Sequence, residues 1–164
     1  MHNKSMKNKK GFTLIELLLV IAIISALAVT VFVALNPAKR LKDSRDARRS
    51  SDIETILSAI HTYIVDNAGA LPSGLTTTEK QLGTNTGAAC TAIATGGCAA
   101  IATSCVDLAT PLAAYLKSIP YDPSLTSVTG TAMTKYTAVI DANGIVTVRA
   151  CGKEGTGDDI SVSR

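Results

Sequence analysis

Residues able to do chemistry are few in this chain and far apart. Outside the first eleven positions there is one histidine, His61, and no partner motif accompanies it. No nucleophile–histidine–acid constellation and no metal-ligand cluster is legible, so the sequence does not read as an enzyme. His61 falls in helical sequence and is expected as an exposed helix residue. The four cysteines, Cys90, Cys98, Cys105 and Cys151, all lie in the C-terminal half and form no C-x-x-C pair. An even number in a loop-rich region points to two disulfides in an oxidising compartment rather than to zinc. Four cysteines allow three pairings. The local loop Cys90–Cys98, with Cys105 tied to Cys151, is the preferred expectation. The remaining group of interest is Glu16, a carboxylate where none is expected.

Glu16 is the single charge in the 24-residue run from Phe12 to Leu35, FTLIELLLVIAIISALAVTVFVAL. As a helix this run rises about 36 Å, enough to cross a hydrocarbon core of about 30 Å. A membrane anchor needs no acid one turn inside its start, because an unpaired charge in lipid is costly; a partner is implied. Snorkelling to the interface, or protonation, is the plainer alternative. Ahead of the run stand Lys4, Lys7, Lys9, Lys10 and then Gly11.

The stretch KKGFTLIELLLVIAIISALA resembles the class III leader and N-terminal helix of type IV pilins and type II secretion pseudopilins. The resemblance implies that a prepilin peptidase cuts between Gly11 and Phe12 and methylates the new N-terminus at Phe12. It implies further that Glu16 meets the α-amino group of a neighbouring subunit during assembly. Two opposite charges, each costly alone in lipid, remove much of each other's penalty when they pair. A competing A-x-A site, Ala26-Leu27-Ala28, would suit ordinary signal peptidase. Against it, Glu16 interrupts the apolar region, and the apolar pattern continues through Val29–Leu35. Basic residues flank both ends of the span, so the positive-inside rule does not orient it. The cysteine-rich half argues for an N-terminus inside and a C-terminus outside, as does the resemblance.

Four segments must position these groups: a leader over 1–11, a transmembrane half-helix over 12–35, an amphipathic half-helix over 36–66 and a globular region over 67–164. Asn36-Pro37 predicts a kink, with the helix resuming after the proline. Residues 39–52 carry both charge signs, with Lys39/Asp43 and Lys42/Asp46 at i,i+4 and Asp52 near Arg48 and Arg49, and read as a solvated face rather than a basic patch. Ile53, Ile56, Leu57, Ile60 and Ile64 then recur at helical spacing and predict a stripe that docks on a small sheet. Asn67-Ala68-Gly69 is a stop signal. A Gly-, Ala- and Thr-rich stretch over 73–110 reads as loop with at most short helices. Pro111–Ser118 reads as a short helix with Leu112 and Leu116 on one side. Strands are expected over Met133–Asp141, Ile145–Ala150 and Ile160–Val162, making three in all, within a sheet region of about 133–163. Asn143-Gly144 supplies the positive-φ residues of a tight hairpin, and Val139, Val146 and Val148 face the stripe.

The fold class is therefore α+β, and type IV pilin-like by resemblance: a long N-terminal transmembrane and amphipathic helix packed on a small antiparallel β-sheet. The segments AIHTYIVDNAGALP and YLKSIPYDP are similar to pilin and pseudopilin patterns, while the Trp-Gly-Asn-Pro-Tyr continuation of major pseudopilins is absent. The acidic tail is similar to the loop that binds calcium in major pseudopilins. That likeness makes Glu154, Asp158 and Asp159 candidate calcium ligands, an ordinary solvated turn being the other reading. No other cofactor is expected. Removing residues 1–11 takes four of the 16 basic residues and leaves 12 against 13 acidic ones, a balance of −1 that does not suit nucleic acid.

Implied partners are other copies of the chain and related pilins in a helical filament, a prepilin peptidase, an inner-membrane assembly platform, and the membrane itself before assembly. The implied location is the bacterial inner membrane, single-pass with the N-terminus cytoplasmic, followed by an extracellular or periplasmic filament. The function implied is a structural subunit of a type IV pilus or pseudopilus. A minor pilin at a filament tip, acting in adhesion or DNA uptake, and a conventionally secreted or membrane-anchored protein are the alternatives.

Overall fold

A computed structural model describes residues 11–84, 90, 98, 105–125, 132–155 and 159–164. The leader ahead of Gly11 and much of the cysteine-containing stretch lie outside them. The elements follow the order α1 (Leu14–Leu35), α2 (Pro37–Asp66), β1 (Lys80–Gln81), β2 (Tyr136–Ile140), β3 (Val146–Ala150) and β4 (Ile160–Ser163). The chain divides between Arg40 and Leu41 into two units.

In the first unit, α1 has no buried residue. Its side-chain hydroxyls are satisfied within the helix: Ser25 Oγ donates to the Ile21 carbonyl at 2.7 Å and Thr30 Oγ1 to that of Leu27 at 2.7 Å. In an apolar environment such bonding matters, because no water is there to take a stray donor. The break expected at Asn36-Pro37 is present. Asn36 is left-handed, at φ 39° and ψ 73°, and ends α1. Its side-chain oxygen accepts from the Lys39 N–H at 3.3 Å, so the same residue opens α2. Pro37 takes the first helical position, where a missing N–H costs nothing.

The second unit is built on the predicted stripe. Ile53, Ile56, Leu57 and Ile60 are buried and Ile64 is partly so. They form one core with Tyr136, Ala138 and Ile140 of β2 and Val146, Val148 and Ala150 of β3, joined by Leu82, Val106, Leu108 and Leu112. Past Asp66 the chain turns at Ala68 (φ 53°) and Gly69 (φ 89°), and the Gly69 N–H donates to the Ile64 carbonyl at 2.8 Å. That is a left-handed helix stop of the kind Asn67-Ala68-Gly69 announced.

The sheet has four antiparallel strands in the order β1-β2-β3-β4, one more than the sequence predicts. The extra strand is the two-residue β1, lying in the segment read as loop. A strand this short has no alternation to detect and forms because Lys80 and Gln81 meet Ala138 and Thr137 across the sheet. The register also corrects Val139. It pairs with Thr147, while Ala138 pairs with Val148 and Ile140 with Val146. Directly opposed residues share a face, so Val139 points away from the helix. At the β2–β3 turn only Gly144 has positive φ, at 85°. The Gly144 N–H donates to the Asp141 carbonyl at 3.1 Å and the Asp141 N–H to that of Ile145 at 3.0 Å. This is the three-residue hairpin loop with glycine in the left-handed position, rather than the two-residue turn that Asn143-Gly144 suggested. Pro111–Ser118 forms turns instead of a helix, although Leu112 is buried beneath them.

Disulfides join Cys90 to Cys105 and Cys98 to Cys151, with Cα separations of 5.2 and 5.6 Å. Cysteine oxidation is as expected, but the preferred pairing is corrected in both bridges. Cys151 follows β3 directly, and its N–H donates to the Lys135 carbonyl at 3.0 Å, so the sheet itself decides which loop cysteine can reach it. The bridges close 15 and 53 residues. On chain-entropy grounds that is about 3 kcal/mol for the shorter and about 4 kcal/mol for the longer. Peptide mapping of the unreduced protein should recover Cys98 linked to Cys151. Replacing that pair with serine should lower the melting temperature more than replacing Cys90 and Cys105, as followed by circular dichroism.

Candidate functional site

The predicted processing and assembly residues stand together at the start of α1. Gly11 and Phe12 precede the helix and are exposed, Phe12 to 86%. Thr13 is the N-cap, at φ −83° and ψ 152°. Its Oγ1 accepts from the Glu16 N–H at 3.3 Å, and Glu16 Oε2 accepts from the Thr13 N–H and from Thr13 Oγ1, each at 2.8 Å. Glu16 therefore completes a capping box. The sequence carries this signal as Thr-x-x-Glu, so Glu16 is a capping residue as well as an acid within an apolar run. Chemically the arrangement is an acceptor site. The carboxylate stays next to the helix start and exposed, with local donors that another donor can replace.

A second constellation, in the globular unit, was not foreseen. Arg49 falls within residues 39–52, where the sequence predicts a solvated face, yet it is fully buried. Its Nε and Nη2 donate to the two oxygens of Asp122 at 2.7 and 2.9 Å, a fork that only a guanidinium provides. Nη1 donates to Asp46 at 2.6 Å, and Nη2 also reaches Glu154 at 2.9 Å. Arg45 holds Glu154 from the other side at 2.7 Å. The predicted Lys42/Asp46 pairing gives way to this one because Asp46 turns toward the C-terminal loop. There it accepts from the Glu154 N–H at 3.1 Å and from the Gly155 N–H at 2.7 Å. The expected pairing of Asp52 with Arg48 is present at 3.8 Å, and Asp52 also accepts from the Tyr136 hydroxyl at 2.7 Å.

A signal for Arg49 exists in the sequence. It lies four residues before Ile53 and Asp46 three before that, on the same helical face as the stripe. A charge continuing an apolar face is a buried charge that needs partners. Asp122 offers no such signal, since only the fold brings it to α2.

Electrostatics follow from the geometry. Burial works against ionisation of Asp122, but hydrogen bonds from Arg49 and Ser124 outweigh it and hold the carboxyl below its ordinary range. Asp46 shows the same balance, with the N–H groups of Gly155 and Glu154 and the Arg49 guanidinium prevailing over burial. Glu154 is lowered chiefly by Arg49. Burial opposes the charge on Arg49, yet bonds to Asp122, Glu154 and Asp46 raise its pKa above the usual value. Burial, then the bond to Asp52, pushes the Tyr136 phenol up.

The candidate calcium ligands are not gathered into one group by what is described. Glu154 faces the two arginines, Asp159 is exposed beside β4, and Asp158 lies outside the described residues. His61 is partly buried rather than exposed, and its Nε2 is enclosed without a hydrogen-bond partner.

An apolar helix with no buried residue, an exposed acid at its start, and a further helix packed on a small antiparallel sheet make an α+β layout like that of pilins. The family described as the prokaryotic N-terminal methylation motif matches residues 6–32, from the basic leader into α1. The match shows a methylation motif over these residues, a segment similar to the N-termini of prepilin-like proteins. No curated protein and no solved structure matches it. Its apolar helix and motif indicate membrane anchoring.

Arg49→Met should destabilise the detergent-solubilised chain by about 3–5 kcal/mol in urea denaturation, because it strands the buried Asp122 carboxylate. Gly152→Ala should also destabilise it, since a Cβ there would run into that carboxylate. Acid should act on the same cluster. The three carboxyls titrate below their ordinary values of 3.8 for Asp and 4.5 for Glu, so in that window the unfolded chain binds more protons than the folded one. Their contribution is complete at neutral pH, begins to fall below about pH 5 and is lost as pH drops through the folded values. A plot of unfolding free energy against pH should show this slope, flattened in Glu154→Gln.

Proposed function

We propose that this chain is a structural subunit of a type IV pilus or pseudopilus, held in the inner membrane, cut between Gly11 and Phe12, and assembled through α1. The observation that carries the proposal is α1 itself. It is 22 residues long, apolar apart from Glu16, Ser25 and Thr30, without a single buried residue, and most of it falls within the methylation motif. Such a surface is not stable in water and requires either lipid or other helices. Lipid tails are as apolar as leucine, so exchanging lipid contacts for contacts with neighbouring copies costs little net free energy. An assembly machine can therefore lift the subunit from the bilayer without a large uphill step.

Cleavage creates an α-amino group at Phe12, a cation that the apolar environment disfavours. Glu16 of a neighbouring copy is the complementary anion. Its present donors, the N–H and hydroxyl of Thr13, are weaker partners than an ammonium, and the carboxylate is exposed and able to exchange them. The globular unit then travels as cargo on the helix, with its fold kept by the core, the charge cluster and two disulfides.

Mass spectrometry of the mature protein should find Phe12 as the first residue, carrying an N-methyl group. A start at Val29, or retention of Met1, would overturn the proposal. Glu16→Ala should enter the membrane at normal levels but appear in sheared filaments at roughly a tenth of the wild-type yield or less, as expected when one member of a desolvated charge pair is removed. Wild-type yield in that variant would remove the pairing role.

A further inference from the structure

The loop Gly152–Gly155 leaves β3 with no large apolar side chain of its own to anchor it, yet it is held against α2. What holds it is charge. Asp46, Asp122 and Glu154 come from three distant places in the sequence and converge on one point. Three carboxylates brought that close repel one another unless a cation lies among them. Arg45 meets Glu154 alone, from the more exposed side, whereas the guanidinium of Arg49 is fully buried and directed at all three by Nε, Nη1 and Nη2. Asp46, so neutralised, accepts the backbone N–H groups of Glu154 and Gly155 and fixes the path of the loop. The two glycines record how closely the backbone is drawn in. A side chain at Gly152 would strike the Asp122 carboxylate, and one at Gly155 would press on that of Asp46.

We infer that Arg49 is the resident cation of the C-terminal loop: it orders Gly152–Gly155 through Asp46, Asp122 and Glu154, as a divalent ion orders an acidic loop elsewhere. The consequence is a difference in control. A loop organised by calcium is ordered only where the ion is plentiful, whereas one organised by its own arginine is ordered at any calcium concentration. Arginine suits the task because it cannot be deprotonated and because its planar fork meets two oxygens of one carboxylate while leaving a third donor free.

The test is amide hydrogen exchange on the full chain in detergent micelles, read at Glu154 and Gly155, with calcium chloride in one series and a chelator in the other. Wild-type protection should be the same in both series. Arg49→Gln should raise exchange at these two amides by about tenfold or more, in both series alike. Should that variant fail to fold, Glu154→Gln, which removes a partner from the more accessible side of the cluster, should show the same direction with its circular dichroism spectrum retained. Protection in the wild type that rises with calcium and falls with chelator would overturn the inference. So would unchanged exchange at Gly155 in either variant that folds.

Discussion

A helix that presents apolar side chains on every side has no stable place in water, and this constraint organises the rest of the molecule. Among the described residues α1 has none buried, and the core of the second unit is built from that unit's own residues. The two ends of α1 reflect the same constraint. At its start the open N–H groups are met by Thr13 and Glu16, and at its end the left-handed Asn36 closes it and opens α2 without leaving an unsatisfied stretch of backbone. Hydroxyls along its length bond back to the helix, so the segment carries its own hydrogen-bond partners wherever it goes.

The globular unit compensates for a modest core. There is no tryptophan and aromatics make up 4% of the chain, so the core is aliphatic apart from Tyr136 and the flanking Tyr63 and Tyr115. Two devices supplement it. Disulfides tie Cys90 to Cys105 and Cys98 to Cys151 at the end of β3, which limits the freedom of the unfolded chain. The charge cluster ties α2 to the Asp122 turn and to the C-terminal loop, whose residues 152–155 carry no large apolar side chain. A buried ion pair is not in itself a strong source of stability, since desolvation offsets most of the attraction. Its effect is specificity: the fork of Arg49 and the close approach at Gly152 admit one arrangement of these three segments.

Much of the architecture was legible in the residues. The membrane run, the break at Asn36-Pro37, the stripe from Ile53 to Ile64, the stop at Asn67-Ala68-Gly69 and the β2–β3 hairpin all rest on local periodicity or on the backbone preferences of individual residues. Such signals are written within a few turns of chain. The methylation motif was legible for the same reason, because Gly11, Phe12 and Glu16, the residues proposed for processing and assembly, are close in sequence and set in a continuous segment.

The remaining features depended on long-range placement. Strand β1 exists because Lys80 and Gln81 reach the edge of β2. The face taken by Val139 was set by register, since a shift of one residue exchanges the two faces. The cysteine pairing was set by where the sheet delivers Cys151, and the burial of Arg49 by the arrival of Asp122 from 73 residues away. By itself, then, the sequence determined the anchor, the helix boundaries and the motif, all governed by neighbours along the chain. Tertiary structure alone decided strand register, disulfide partners and the cation at the centre of the loop, because each needs two groups whose distance along the chain says nothing of their distance in space.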